Sequence, residues 1–446
     1  MVFRPSSAFG FRKGMSSAAS RCKTVAATWA CLVLLHVAAH ATGESRPVTL
    51  NEARKLALER NSDLRVAEIQ IDAALAQLRT VREFPNPTLN LSSVKISTDG
   101  TDEGTSLGNG IWDRSYDSIA SLSQLFVVGK RGLMRDAARA GIRSAELQRD
   151  DTRRLILQAV TQAYAAALAA LSEADVLTDS AAKLRHEADI GRYRLQAGDL
   201  SASDSAQLEI AADQDELGAY AERASAKTAI VTLEILLGDP RPSGTTTLAD
   251  TLDRLLELIP ADLKEMPVAT RPDIAAAESE VQRSDTNVTL EERQRIPDVT
   301  ASVQYERNPP GQTNTVGVGI SLPLPLWNRF DGEVLTAKAA REAAQAQLDN
   351  VRIRAAADVS NARAAYDEAA QRARRYQTSL VPRAAMVLRS VSYAFEKGGS
   401  TLIDLLEAER NNNSIRLAAV QSQADAASAA AALMAALGRV EPERAP

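Results

Sequence analysis

The sequence predicts a mainly α-helical chain that carries a pair of membrane β-hairpins and is built from one unit present twice. Three observations predict it. Tyr193, Gly198, Asp204 and Glu209 recur as Tyr393, Gly398, Asp404 and Glu409 at a constant offset of 200, and Leu237-Gly238 recurs as Leu437-Gly438 at the same offset. Upstream the copies drift, with Ser62-Asp63-Leu64 facing Pro272-Asp273-Ile274 and Phe84-Pro85-Asn86 facing Ile296-Pro297-Asp298. Within each copy the apolar period changes from helical to alternating and back, and the later helical stretch far outruns an ordinary globular helix.

Taken in order, residues 1–41 read as a secretory signal. Arg21 and Lys23 precede an apolar run from Val25 to Val37 that ends in Ala39-His40-Ala41, so cleavage is expected after Ala41. The run is too short to span a bilayer as a helix. A chain begun at Met15 would carry a signal of ordinary length, and Met15 is the preferred start. The first repeat is placed at residues 42–240, a connector at 241–268, the second repeat at 269–438 and a tail at 439–446.

Leu50 to Arg82 shows helix-like spacing in Leu56, Ala57, Ile69, Ala73 and Leu78, stopped by Pro85 and Pro87. Leu89 and Leu91 then alternate with Thr88, Asn90 and Ser92. A Gly- and Asp-rich stretch follows, and a second alternating segment runs from Tyr116 to Val128. The second copy repeats this with Val299, Ala301, Val303 and Tyr305, a turn at Asn308-Pro309-Pro310-Gly311, and Val316, Val318, Ile320 and Leu322. Each hairpin leads into a long helix, Lys130 to Ala197 and Asp331 to Lys397, of roughly 100 Å at 1.5 Å per residue. Pro382 is expected to bend the second of them. Gly198-Asp199 and Gly398-Gly399 interrupt, and return helices end at Leu237 and Leu437, so each copy holds a long helical hairpin.

Composition narrows the function classes. Residues 1–41 hold five Lys or Arg and no Asp or Glu, so their removal takes the formal charge from −5 to −10, and nucleic acid is not expected as a partner. Cys22 and Cys31 leave with the signal, which removes any thiol for a disulfide, a metal or a nucleophile. Only His186 remains beyond residue 41, and Met134, Met266, Met386 and Met434 are scattered, so no metal site and no cofactor are expected. No Gly-x-Ser-x-Gly elbow, phosphate-cradling loop or His-centred base is present, and an enzyme is not expected.

Strands of this length suit a tilted transmembrane β-strand, but four cannot close a barrel. Open sheet edges are not tolerated in lipid, so the strands are expected to join a barrel shared between subunits. Trp112, Tyr116, Phe126, Tyr305, Trp327 and Phe330 lie in or beside these segments, where aromatics at the membrane interface belong.

Phe84-Pro85-Asn86-Pro87, Ser123-Gln124, Gly129-Lys130-Arg131 and Leu322-Pro323-Leu324-Pro325-Leu326-Trp327-Asn328-Arg329, together with the duplication, resemble the TolC family of outer-membrane efflux proteins. The resemblance is strongest to the cobalt-zinc-cadmium resistance branch that serves heavy-metal pumps of the resistance-nodulation-division (RND) class. It implies a homotrimer with a twelve-stranded outer-membrane β-barrel continuous with a periplasmic α-barrel, working with a periplasmic adaptor and an inner-membrane RND pump and contacting outer-membrane lipid. In that family acidic side chains ring the pore at the helical tips. The matching stretch is Ile403-Asp404-Leu405-Leu406-Glu407-Ala408, where Asp404 and Glu407 stand one helical turn apart. Asp204 takes the equivalent place in the first copy. The family's arginine latch has no counterpart, since its position is Ser400. Conduits for drugs or secreted protein, and a periplasmic coiled-coil adaptor, are the competing readings.

Overall fold

The computed structural model describes residues 47–96, 115–308 and 313–439. Helix α1, Leu50–Arg60, starts in a capping box: Thr49 Oγ1 accepts from the Glu52 amide and Glu52 accepts from the Thr49 amide. The continuous helix expected from Leu50 to Arg82 is instead broken at Asn61. That residue ends α1 in extended conformation and caps α2, Ser62–Arg82, through its Oδ1. Its Nδ2 donates to the Leu236 carbonyl, so a contact distant in sequence fixes the break.

Strands β1, Thr88–Ile96, and β2, Ser115–Phe126, pair antiparallel, as do β3, Val299–Asn308, and β4, Thr313–Ser321. Strand β2 also pairs with β3, from Ser118↔Arg307 to Phe126↔Val299. The two copies therefore share one sheet in the order β1-β2-β3-β4. Everything between β2 and β3 is helical or connecting chain that leaves the sheet and returns to it.

Helix α3, Arg131–Ala197, runs 67 residues to Gly198, whose φ of +82° lets the chain reverse. Ser201 caps the return helix α4, Ala202–Leu236. After a short α5, Leu252–Glu257, the second copy begins with α6, Pro272–Arg293. Its long arm is α7, Asp331–Arg375, a π-helical turn at Tyr376–Leu380, and α8, Val381–Glu396; Thr401 then caps α9, Leu402–Ala436. The π turn falls immediately before Pro382, which has no amide hydrogen to give the preceding turn. A widened turn thus lies beside Pro382, where the sequence leads one to expect a bend.

Of four apolar clusters among the described residues, two lie along the first long helix. One joins Leu50, Ala53 and Ala57 of α1 to Val160, Tyr164 and Leu168 of α3, Leu233 of α4, Leu252 of α5 and Ala424 of α9. Small residues let these helix axes approach closely. Within it the buried Tyr164 hydroxyl lies 2.8 Å from the Val48 carbonyl and 3.1 Å from Asp250 Oδ2, and Asp250 also accepts from the Leu50 amide. Burial pushes the Tyr164 phenol above its ordinary range. The other cluster lies toward the helical tips and joins Leu184 and Ala188 of α3, Leu208 of α4, Leu388 and Phe395 of α8, and Leu405 of α9.

The connector is pinned by one carboxylate. Buried Glu234 accepts from the amides of Ser243, Gly244, Thr245 and Thr246 and from the Thr246 hydroxyl. Burial alone would raise this acid, but the donated bonds, led by that of Gly244, outweigh it and hold the carboxyl below the usual range. Gly238 packs against the chain end of α1: at its φ of +75°, an added Cβ would collide with the Arg60 carbonyl. Gly238→Ala is therefore expected to destabilise the protein by about 1–3 kcal/mol. Gly198→Ala, with a similar φ but open space around it, should cost less. Thermal unfolding of the two variants side by side checks the order.

Candidate functional site

The sheet has two chemically different faces. Cross-strand register places Leu89 beside Leu122, Leu122 beside Val303 and Val303 beside Val318, and likewise aligns Leu91, Ala120, Tyr305 and Val316. These residues share one face. Val318 is 86% exposed and Ile320 74%, values that water would oppose and hydrocarbon would favour. The opposite face presents Thr88, Asn90, Ser121, Ser123, Thr300, Ser302, Gln304, Gly317 and Gly319, mostly small and polar. The strands run 9 to 12 residues, close to the roughly 9–11 that a tilted membrane strand needs.

Of the six aromatics expected at the membrane interface, Phe126 and Tyr305 lie on the apolar face. Tyr305 pairs with Ala120, six positions along β2 from Phe126, so the two stand roughly 20 Å apart along the strands. Tyr116 falls within β2, and Trp112 lies outside the described residues. Trp327, 93% exposed, and the half-buried Phe330 follow β4 and border a cleft of about 620 Å³ that also touches Leu125, Lys130 and Leu324. Phe330 adopts a φ of +59° and donates its amide to Asn328 Oδ1.

The sequence signatures meet one another where sheet turns into helix. Gly129, at φ +72°, turns the chain out of β2. Lys130, 4% exposed, then reaches Asp298 Oδ1 at 2.9 Å, and the same oxygen accepts from the Val128 amide. Arg131 stacks over the Phe84 ring at 3.7 Å and donates to the Arg82 carbonyl. Gln124 Nε2 donates to the Pro85 carbonyl. Sequence reasoning found these motifs but not that they are partners. Their structural role is to fix the angle between strand and helix.

At the far end the acidic residues fall on two equivalent helix starts. Asp404 closes a capping box: its Oδ2 accepts from the Thr401 amide at 3.0 Å, from the Thr401 hydroxyl at 2.7 Å and from Ser400 Oγ at 3.2 Å. The Thr401 bonds hold this exposed carboxyl below its ordinary range. Glu407 is exposed one turn further along α9, and Asp204 sits in the first turn of α4 with its amide bonded to Ser201 Oγ. Among the described residues no hydrogen bond or ion pair joins Asp204 to Asp404 or Glu407. No three His, Cys, Asp or Glu side chains among the described residues gather as a metal site.

A two-faced antiparallel sheet whose two edges have no partner among the described residues, standing on helical hairpins whose long arms reach about 100 Å, defines a protomer of a membrane barrel with an extramembrane helical extension. The chain belongs to the outer membrane efflux protein family, whose profile matches residues 53–239 and 266–439. It is similar to the cobalt-zinc-cadmium resistance protein CzcC of Cupriavidus metallidurans, 24% identical over 365 residues that cover 82% of this chain and 84% of that protein. The nickel and cobalt resistance protein CnrC of the same organism is 27% identical over 239 residues, 53% of this chain and 56% of its own length. Among solved structures the outer-membrane channel OprN superposes with a TM-score of 0.69 at 18% identity, covering 87% of this chain and 89% of that one. The protein is thus an outer-membrane one with a large periplasmic helical part.

Lys130→Ala leaves Asp298 without its cation in a part-buried setting and is expected to cost about 3 kcal/mol of stability. Thr401→Ala removes a cap and should cost about 1 kcal/mol. Thermal unfolding of the purified variants measures both, with the larger loss at the junction.

Proposed function

We propose that this chain is the outer-membrane conduit of a tripartite efflux system, with no catalytic activity of its own. Three copies supply twelve strands to one barrel, each β4 edge pairing with the β1 edge of the next copy, and the helical hairpins continue the tunnel into the periplasm. The observation that carries this reading is the sheet itself, apolar on one face, polar on the other, and open at both edges. Turned outward, the apolar face meets outer-membrane lipid, and the polar face lines water.

Similarity to CzcC and CnrC supports divalent heavy-metal cations as the substrate. In this reading the ions arrive from an inner-membrane RND pump through a periplasmic adaptor, and metal choice belongs to those partners. The proposed division of the chain is a signal over 1–41, repeats over 42–240 and 269–438, a connector over 241–268 and a tail over 439–446. Trp112, Tyr116, Phe126, Tyr305, Trp327 and Phe330 are proposed as membrane-interface contacts.

Asp404, Glu407 and Asp204 are proposed to ring the tunnel at its periplasmic tips. Their roles differ. Asp404 spends its carboxylate on the start of α9, whereas Glu407 is exposed and offers the mobile ion its charge. Three copies would set Glu407 in one anionic ring that attracts cations.

Planar-bilayer recording of the purified protein, with its mass in detergent, tests the reading. Trimers that conduct with cation preference are expected, and Glu407→Gln should reduce that preference without unfolding the protein. Monomers without conductance would overturn the channel assignment, and unchanged selectivity in the variant would overturn the ring.

A further inference from the structure

The two copies of the repeat carry glutamate at the same place, and the fold treats them oppositely. Glu209 is 49% exposed on α4 and lies 3.4 Å from Arg192. Its counterpart Glu409 on α9 is 4% exposed, and its Oε2 has no hydrogen-bond partner among the described residues. The same holds for Glu187 Oε2 on α3 and for Asn412 and Asn413 Oδ1 on α9, each at least nine-tenths buried. Glu409, Asn412 and Asn413 share one helix face by their spacing.

No donor among the described residues reaches Glu409 Oε2. Asn413 Nδ2 gives its hydrogens to Ser180 Oγ at 2.5 Å and Asp215 Oδ2 at 2.9 Å, and Ser180 donates to the same Asp215 oxygen. Lys183 of α3 and Arg416 of α9, the nearby cations, are both bonded to Asp179 at 2.9 Å. The remaining charged neighbours of Glu409 are anionic, Glu187 of α3 and Asp215 of α4, and Glu187 in turn faces Glu396 of α8 and His186. The unpartnered buried atoms here are all acceptors, and a carboxylate in such a place is costly. A proton converts one acceptor into a donor and removes one charge.

We propose that Glu409 is a proton-operated latch: protonated, it lets α9 pack on α3 and α8, and ionised, it drives the α8–α9 hairpin from α3, so that the helical tips open as pH rises. The device rests on the channel reading. Its position fits, since Glu409 lies eight residues beyond the Thr401 cap, roughly 12 Å from the tip along the helix. The apolar cluster it adjoins is the one that holds all four tip helices together. Burial first, then Lys183 lowering and Asp215 and Glu187 raising, bring its carboxyl to about 7. Glu187 is likewise raised by burial and then by Glu396, against His186.

The sign follows from linkage. A carboxyl raised on folding from 4.5 to about 7 contributes stability that is whole below 4.5 and lost as pH climbs through 7. Within that window the folded-to-unfolded ratio falls up to tenfold per pH unit for each protomer.

The experiment uses the full-length protein processed by its host and purified from the outer membrane, comparing wild type, Glu409→Gln and Glu209→Gln from pH 5.5 to 8.5. Thermal unfolding and single-channel open probability are both read. Wild type and Glu209→Gln should lose thermal stability and gain about tenfold or more in open probability across the range. Glu409→Gln should lose most of both changes, keeping only the smaller pH dependence that Glu187 contributes. A Glu409→Gln protein that keeps the wild-type pH dependence overturns the proposal, as does a wild type whose stability ignores pH. A stability change tied to Glu409 in a protein that never conducts supports the proton site and overturns the channel reading instead. Should Glu409→Gln fail to fold, Glu187→Gln serves: removing a neighbouring negative charge lowers the Glu409 carboxyl, so the pH-dependent loss of stability must shrink and end at lower pH than in the wild type, and an unchanged transition overturns the latch.

Discussion

Hydrocarbon offers no water to an unpaired amide, and that constraint organises this protein. The four described strands satisfy one another across three interfaces and leave the outer edges of β1 and β4 without partners. A soluble sheet would cover such edges with a helix, a bulge or charge. Here the apolar face beside them is exposed valine, leucine and isoleucine, so the answer lies outside the single chain. The requirement for partners, the two-faced alternation and the near-uniform strand length all follow from one solvent.

The same constraint explains why chemistry is concentrated at the junction and the tips. Where β2 leaves the sheet, a left-handed glycine, a buried Lys130–Asp298 pair and the Arg131–Phe84 stack set the direction of α3. Helix α3 then passes through two of the apolar clusters, so an angle fixed at the sheet is carried to the tip. Polar groups that would be unremarkable on a surface are specifying here. Glu234 holds the connector by accepting five donors, and Tyr164 ties Val48, just ahead of α1, into the same region.

Much of this was legible in the sequence because it rests on period. The constant offset of 200, the alternation at Val299 to Tyr305 and the uninterrupted run after Lys130 each report a local geometry that tertiary contacts did not change. The helix break at Asn61 was missed because apolar spacing continues across it, although Asn61-Ser62-Asp63 carries an N-cap signature. The different fates of Glu209 and Glu409 could not come from a repeat, which assigns both one role. They arise because α9 packs on α3 while α4 turns that face to solvent. One signal was present: Leu405, Leu406, Ala408, Glu409, Asn412 and Asn413 fall at helical spacing, which sets the glutamate within an apolar stripe. At the tips, Asp404 was read as a ring acid, and its capping bonds leave Glu407 the better placed of the two.

The barrel shared between copies is the claim on which the rest depends, and cross-linking of its open edges tests it most directly. A cysteine at Asn90 of β1 is combined in turn with one at Gly317, Gly319 or Ser321 of β4, all on the polar face, and the protein is oxidised in the outer membrane. Cross-linked dimers and trimers from one register are expected, with the single-cysteine controls remaining monomeric under denaturing conditions. Monomers from every pair would contradict the shared barrel.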